Sequence, residues 1–266
     1  MAIIAKSESF SSHWYTSAGH AAHKQSKANG DGDRATTIRD ARKLKLLPSV
    51  TNKLSVLSRG GLVNWQLQQV GLAAFDSHPT DKESKDYYAK RIVSASKEAN
   101  ATARIEGSNI HQALHDYYSG KKIDQMMQAY ILPIEAWRES KQLKFHEQET
   151  ILVNAKRGYA GMCDVVGCGP MLQKFIVDWK SRTKIGKKVK SYETDIMQIA
   201  AYGAARWGDE AIVNRDVWGV NVYLCRTEVG KIEVKGYTPE EIFKAYQAFL
   251  AVTDIWRFIK GYDPRV

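Results

Sequence analysis

The spacing of apolar residues changes character near the middle of the chain. Up to about residue 140, apolar positions recur every three or four residues, which is typical of helices with one buried face. Beyond that point, short apolar runs between turn residues indicate strands, with further helical spacing between them. The predicted elements are helices at 37–46, 51–58, 61–75, 80–100, 104–118 and 122–140, strands at 145–154, 158–167 and 173–180, a helix at 191–207, strands at 217–227 and 231–237, and a last helix at 239–259.

The order of these elements predicts an α/β fold, specifically an α+β sandwich in which helices cover a sheet. Residues 1–35 are polar and rich in Gly, Ser and His, so we expect an irregular N-terminal arm. Residues 36–140 form a helical region, and residues 141–266 form the core with which this region makes one structural unit. Pro133 is expected to kink or break its helix. Thr238-Pro-Glu-Glu241 is a strong helix start.

The charge of the chain suggests a polyanionic partner. Among 266 residues, Lys and Arg number 39 and Asp and Glu number 29, which gives a net charge of +10. Such an excess favours binding to nucleic acid or to an anionic membrane surface, although a basic protein without such a partner is the alternative. No stretch approaches the ~18 apolar residues of a membrane span, so no membrane partner is expected.

Several other classes of protein are not supported by the sequence. Cys163, Cys168 and Cys225 are too few for a disulfide framework or an all-cysteine cluster, so free thiols in a reducing compartment are expected. No P-loop sequence is present, so no nucleotide cofactor is expected. The first residues lack the apolar run of a signal peptide. We therefore expect a cytoplasmic protein.

The densest chemical signal lies at Asp164, Asp178 and Lys180. Asp178 and Lys180 follow the apolar run Phe175–Val177, and side chains two residues apart on a strand share a face. A turn between the strands would bring Asp164 close to Asp178, and two close carboxylates repel unless a cation lies between them. Magnesium or manganese suits such oxygen ligands and phosphate chemistry. The alternative is a structural ion pair between Asp178 and Lys180.

Four motifs in order resemble the PD-(D/E)XK nuclease superfamily, and within it the RecB-like branch. The motifs are Gly107-Ser-Asn-Ile-His111, Ala160-Gly161-Met-Cys-Asp164, Asp178-Trp-Lys180 and Gln198-Ile-Ala-Ala-Tyr202. The sequence around the last two motifs looks most like that of the mitochondrial genome maintenance exonucleases and their phage exonuclease relatives. This resemblance covers residues 104–207 and implies a restriction-endonuclease-like core, with a central mixed β-sheet flanked by helices and a helical N-terminal region.

The resemblance also implies a role for each matching position. His111, Asp164 and Asp178 would be metal ligands, together with the backbone carbonyl of Trp179, and the ion would be Mg²⁺ or Mn²⁺. Lys180 would position or activate the attacking water. Some members of the branch hold an iron–sulfur cluster on four cysteines at positions that this chain lacks, so no iron–sulfur cluster is expected.

Four further residues near these motifs have assigned or alternative roles. By resemblance, Gln198 would brace the site and Tyr202 would lie near the DNA backbone. Glu149 matches a position that is often acidic, where it would orient the lysine or a water, or else it is a solvated strand residue. His115 follows His111 by four residues and could pair with it on a metal. Because the branch uses one histidine, packing or DNA contact is the favoured role for His115.

Basic residues after the third strand indicate where DNA phosphates would pass. They are Arg182, Lys184, Lys187, Lys188 and Lys190. A second cluster precedes Pro48 and consists of Arg34, Arg39, Arg42, Lys43 and Lys45. A charge run is also typical of a solvated loop, so the position of the first run beside the motifs is what favours DNA.

Together these observations predict a metal-dependent DNA exonuclease, and the resemblance implies a preference for single-stranded DNA or free ends. Its setting would be DNA degradation, replication or recombination, in a host cytoplasm if the protein is phage-encoded. The alternatives are an endonuclease or resolvase of the same fold, and a nucleic-acid-binding protein without catalytic activity.

Overall fold

Short elements precede the long helices of the N-terminal half. The computed structural model describes residues 13–57, 60–186 and 191–265, and describes the backbone alone at 60–62 and 98–104. The first elements are β1 (Trp14–Tyr15), β2 (Lys24–Ser26), β3 (Asp33–Ala35), α1 (Ile38–Leu44), β4 (Leu47–Pro48) and α2 (Val50–Leu54). Strand β1 pairs antiparallel with β4, and β2 with β3.

Residues 14 and 15 belong to the body of the protein rather than to an irregular arm. Trp14 and Tyr15 are buried, and Trp14 packs against Trp256 and Tyr262 near the C-terminus. The large apolar surface of these aromatic rings explains why the segment docks despite its polar surroundings. Residues 1–12 of the predicted arm lie outside the described residues.

Three long helices follow: α3 (Gly60–Asp76), α4 (Lys85–Tyr118) and α5 (Gln125–Ser140). Helix α4 is continuous where the sequence predicted two helices at 80–100 and 104–118. The residues between them contain neither Gly nor Pro, so nothing local ends the helix. Helix α5 likewise continues through Pro133, where a break or kink was predicted. A single proline removes one backbone N–H, and the buried Ile131 and Ile134 hold this segment in the core.

A five-stranded mixed sheet forms the centre of the protein, as the sequence predicted. Its strands are β5 (Lys144–Asn154), β6 (Tyr159–Cys168), β7 (Lys174–Arg182), β8 (Val217–Cys225) and β9 (Ile232–Tyr237), adjacent in that order. All neighbours are antiparallel except β7 and β8, which are parallel. Parallel neighbours require a crossover, which α6 (Glu193–Trp207) and α7 (Asp209–Val213) provide. Helix α8 (Pro239–Lys260) ends the fold, and its predicted start is confirmed because the Thr238 hydroxyl accepts the Glu241 N–H.

Helices cover both faces of this sheet. Ile176 of β7 belongs to a core cluster with Ile199 of α6 and Phe249 of α8. The next residue, Val177, belongs to the opposite cluster, which includes Ile110 of α4 and residues of α5. The mixed α/β architecture with a helix-flanked sheet is therefore confirmed. Among the described helices, none is long and apolar enough to cross a membrane.

Candidate active site

Strands β6 and β7 separate at two aspartates. The register between them runs from Cys168 to Val165 on β6, and Val165 pairs with Val177. The next positions outward are Asp164 and Asp178, so the two carboxylates lie on adjoining strands, as predicted. Oδ2 of Asp164 accepts the backbone N–H of Trp179 at 2.7 Å. This bond replaces a strand-to-strand hydrogen bond and fixes one oxygen of the Asp164 carboxylate.

Asp178 is buried with two donors on the same oxygen. Its Oδ2 lies 2.7 Å from Nζ of Lys180 and accepts Nδ2 of Asn221 at 2.6 Å. Asn221 reaches it because the parallel register of β7 and β8 pairs these two residues. Burial raises the pKa of Asp178 to about 6, the charge of Lys180 opposes that shift, and the charge of Asp164 adds to it.

Lys180 remains protonated among the buried polar side chains around Asp178, which we call the polar layer. Besides contacting Asp178, its Nζ donates to Oε1 of Gln198 on α6 at 2.9 Å. Burial alone would lower the pKa of Lys180, but the negative charges of Asp178, Asp195 and Asp164 outweigh it and raise the pKa. The ammonium group therefore keeps its charge at neutral pH.

Tyr202 is buried and lies one turn after Gln198 on α6. Its hydroxyl accepts Nε2 of Gln198 at 3.1 Å, and burial raises its pKa well above the usual range. Its ring packs against Gly161, where an added Cβ would come within 2.8 Å of the ring. Glycine at 161 thus permits this close approach. In this structure the buried Tyr202 hydroxyl contacts Gln198, and the expectation that Tyr202 lies near the DNA backbone stays a prediction.

Helix α4 brings His111 to the same place. Nδ1 of His111 lies 3.6 Å from Oδ1 of Asp164. An added Cβ at Gly107, one turn earlier, would lie 2.7 Å from Oγ of Ser181, so glycine there lets α4 approach β7. Burial opposes protonation of His111, but its contact with Asp164 and the charges of Asp164 and Asp178 raise its pKa. The pKa of Asp164 is correspondingly lowered, against the effect of burial.

Glu149 faces His115 rather than Lys180. The register between β5 and β6 pairs the residues before and after Glu149 but omits Glu149 itself, which lies opposite Asp164 with a φ of 45°. Its Oε2 is 4.0 Å from Nδ1 of His115, an atom that is buried and has no hydrogen-bond partner among the described residues. Lys180 contacts Asp178 and Gln198 in this structure, and the role of Glu149, to orient the lysine or a water or to be a solvated strand residue, stays a prediction. Glu149, His115, His111 and Asp164 line one pocket.

The basic run begins at Arg182, the last residue of β7, and this residue is held by neighbouring side chains rather than freely solvated. Arg182 lies 3.6 Å from Asp195, and its guanidinium lies over the rings of Tyr192 and Tyr223. Lys184 is exposed. The other predicted DNA contacts, Lys187, Lys188 and Lys190, lie outside the described residues.

The sequence reading missed two polar residues of this layer, Asn221 and Asp195. Asn221 interrupts the apolar strand β8, and its neighbours Val220 and Val222 are buried. Asp195 in the first turn of α6 accepts the hydroxyl of Tyr223 at 3.1 Å. A lone polar residue within an apolar strand is the signal that could have identified Asn221.

Comparisons with known proteins add little to this geometry. Neither a family model nor a curated protein sequence matches the chain. Among solved structures, the chain is similar to the one described as "Crystal structure of SSO0001", with 12% identity over 73% of this chain and 87% of that chain and a TM-score of 0.29. A similarity at that level carries no conclusion about fold or function.

Proposed function

We propose that this protein is a divalent-metal-dependent deoxyribonuclease that acts as an exonuclease on single-stranded DNA or free DNA ends. The observation that carries the proposal is the convergence of Asp164, Asp178 and Lys180 where β6 and β7 separate, with His111 approaching from α4. Two carboxylates, an imidazole and an ammonium group supply the ligands and the positive charge that phosphate chemistry uses. The four motifs of the RecB-like branch support the same activity and a restriction-endonuclease-like core.

The chemistry of the donor set fits Mg²⁺ or Mn²⁺. Oδ1 of Asp178 accepts no hydrogen bond from the described residues, since Lys180 and Asn221 both bind Oδ2, and Oδ1 of Asp164 faces only Nδ1 of His111, itself a proposed ligand. In residues 13–57, 60–186 and 191–265, no three His, Cys, Asp or Glu side chains already surround one point, so we expect these side chains to adjust on binding.

His111, Asp164, Asp178 and the carbonyl of Trp179 would hold the ion. When bound, the ion polarises the scissile phosphate and lowers the pKa of a water molecule.

Lys180 supplies a fixed positive charge for the reaction. Because its pKa is raised, its ammonium group is protonated and cannot accept a proton. It therefore orients the attacking water and offsets the charge that develops on the pentavalent phosphate. The water oxygen forms a bond to phosphorus and gives up a proton to solvent, while the ester P–O bond breaks with its electron pair on the departing oxygen, which takes up a proton from solvent. Gln198 and Tyr202 keep Lys180 in place through their hydrogen bonds.

A polyanionic substrate agrees with the charge of the chain. The net charge is +10, and Lys184 and the residues near α1 place exposed cations on the surface. Counterion release from DNA would then contribute to binding. The preference for free ends and for single strands comes from the resemblance to exonucleases of the branch.

Digestion of end-labelled DNA tests the proposal. Single-stranded and double-stranded substrates are incubated with Mg²⁺, with Mn²⁺ and with EDTA, and products are resolved on a sequencing gel. The expected result is metal-dependent release of short products from the end of the single strand. An Asp178→Asn variant serves as the control for a contaminating nuclease. DNA binding without cleavage under any metal would contradict the proposal and favour a non-catalytic nucleic-acid-binding protein.

A covalently closed circle separates the remaining rival. An exonuclease leaves a closed double-stranded circle intact, whereas an endonuclease or resolvase of the same fold nicks or linearises it. Metal-dependent nicking by the wild-type protein but not by Asp178→Asn would replace the exonuclease proposal with the endonuclease one.

A further inference from the structure

Three buried polar side chains form a chain across strands β9, β8 and β7. The hydroxyl of Tyr237 donates to Oδ1 of Asn221 at 2.8 Å, and Nδ2 of Asn221 donates to Oδ2 of Asp178 at 2.6 Å. Tyr237, Asn221 and Asp178 are 5%, 0% and 2% exposed. This series of hydrogen bonds thus runs from β9, at the edge of the sheet, to the candidate active site through buried side chains.

The arrangement fixes which way the amide of Asn221 points. Burial raises the pKa of Tyr237 to about 12, so its phenol is neutral and has one proton to donate. That proton occupies the amide oxygen, which leaves Nδ2 toward Asp178. The opposite orientation would place the amide oxygen against a carboxylate oxygen, which is repulsive. Tyr237 therefore determines that Asn221 acts as a donor to Asp178.

The donor from Asn221 selects one oxygen of the Asp178 carboxylate. Lys180 and Asn221 both contact Oδ2, one from the same strand and one from β8. Oδ1 accepts no hydrogen bond from any described residue. Two donors on one oxygen restrict rotation of the carboxylate about its last bond, so Oδ1 is kept as the oxygen available to a ligand.

Packing alone does not explain an asparagine at this position. The neighbouring positions on β8 are Val220 and Val222, and a buried amide costs free energy unless its hydrogen bonds are made. An aliphatic residue would fill a buried strand position without that cost. The amide is the group that can both accept from Tyr237 and donate to Asp178.

We infer that Asn221 is a positioning residue, set by Tyr237, that presents Oδ1 of Asp178 to the divalent cation. This inference rests on the proposed function, because it deepens the metal site of the nuclease. Partners that orient a metal ligand typically contribute roughly 10- to 100-fold to metal affinity. Tyr237 acts through Asn221, so its removal has the smaller effect.

The test compares three variants by calorimetric titration with Mn²⁺ in the absence of DNA. Asn221→Leu removes the donor at similar volume, and we expect roughly 10- to 100-fold weaker binding. Tyr237→Phe removes one hydroxyl and lets the amide turn, with an expected loss of a few-fold. Tyr246→Phe is the matched control, because it removes another buried tyrosine hydroxyl, which is bonded to Asp209 at 2.6 Å and contacts none of Asp178, Asn221 and Tyr237 among the described residues, and it should change Mn²⁺ affinity less than twofold. Thermal unfolding of all three gives the effect on stability.

The outcomes separate this inference from the proposed function. Unchanged Mn²⁺ affinity in folded Asn221→Leu and Tyr237→Phe overturns the positioning role, whether or not the wild type cleaves DNA. Equal losses in Tyr237→Phe and Tyr246→Phe overturn it too, because they indicate general loosening of the core. If Asn221→Leu does not fold, Tyr237→Phe against Tyr246→Phe decides. Graded losses in a protein that cleaves no DNA support the positioning role and overturn only the nuclease proposal. A wild type that binds no Mn²⁺ overturns both.

Discussion

Two lysines that are largely withdrawn from water have opposite electrostatic surroundings. Lys180, 20% exposed, contacts a carboxylate and an amide oxygen, and its pKa is raised. Lys53 on α2 is fully buried at the contact with α8, where its Nζ lies 3.9 Å above the ring of Trp256. It has no hydrogen-bond partner among the described residues, and its pKa is lowered to about 7. Removal from water is therefore not what keeps Lys180 charged; its partners are.

The surroundings of Lys53 show what a buried charge costs without direct pairing. Burial lowers its pKa most, and the positive charge of Arg257 lowers it further. Asp263 and Asp254 oppose the shift only in part. At the candidate active site, by contrast, carboxylates outnumber the lysine. Nearby carboxylates therefore keep Lys180 charged, whereas the charge of Lys53, buried without a direct partner among the described residues, costs stability.

Replacing each lysine by methionine should change the rate of DNA cleavage very differently in the two regions, and this is the largest effect we expect. We expect Lys180→Met to lower the single-turnover rate of DNA cleavage by roughly 10²- to 10⁴-fold, because the water loses its orienting charge. DNA affinity, measured by filter binding, should change only a few-fold. Lys53→Met should retain the wild-type rate. Comparable losses of rate in both variants would show that the contrast between the lysines has no catalytic meaning.

The same Lys53→Met variant should be more stable than the wild type, in a pH-dependent way. Lys53 has a folded-state pKa of about 7 and an unfolded-state value near 10.4. The wild type therefore loses stability as pH falls from about 10 to 7, because the unfolded chain holds a proton that the folded chain releases.

The methionine variant lacks this titration. The gain should reach on the order of 3 kcal/mol at pH 6.5, after allowing for the cation–π contact with Trp256, and shrink toward pH 9.5. Urea unfolding at pH 6.5, 8 and 9.5 measures it. A pH-independent difference would mean that Lys53 is solvated in solution.

The sequence predicted the sheet and the residues Asp164, Asp178 and Lys180 more fully than the buried polar side chains around them. Asp164, Asp178 and Lys180 could be identified because spacing on strands determines which residues share a face. The partners of these residues come from β8 and from the first turn of α6, at Asn221 and Asp195. Which strand lies beside β7 depends on a crossover of the chain, and local periodicity carries no information about it.

The surroundings of Tyr202 and Glu149 were not predicted, for a related reason. A motif identifies a residue but not its depth, and Tyr202 is buried because Gly161 on the neighbouring strand lets its ring in. Glu149 turns toward α4 because its backbone adopts a left-handed conformation, which alternation along a strand does not predict. Long-range packing thus decides what each conspicuous side chain contacts.

The two histidines of α4 provide a smaller contrast of the same kind. His111 contacts Asp164, whereas Nδ1 of His115 lies 4.0 Å from Oε2 of Glu149 and has no hydrogen-bond partner among the described residues. We expect His111→Ala to weaken Mn²⁺ binding about tenfold or more, and more than it weakens DNA binding, because the variant lacks one of the proposed ligands of the ion. His115→Ala should change Mn²⁺ affinity only a few-fold. Calorimetry showing the reverse ranking would make His115 the ligand.

The smallest expected effect concerns cations on the surface, where pairing and burial matter least. Arg182 is held by Asp195 and two rings, so Lys184 is the first exposed cation of the run that follows β7. The logarithm of the DNA-binding constant K falls linearly with the logarithm of the salt concentration. Each lost phosphate contact should reduce the steepness of this line by roughly 0.7 for single strands. Replacing Lys184, Lys187 and Lys188 by alanine should therefore flatten the slope by up to about two units.

The matched control replaces Arg39, Lys43 and Lys260, three exposed cations where α1 meets the end of α8. An unchanged slope in the first triple variant and a flattened slope in the second would place the DNA path along α1, since counterion release reports only cations that lie against phosphates.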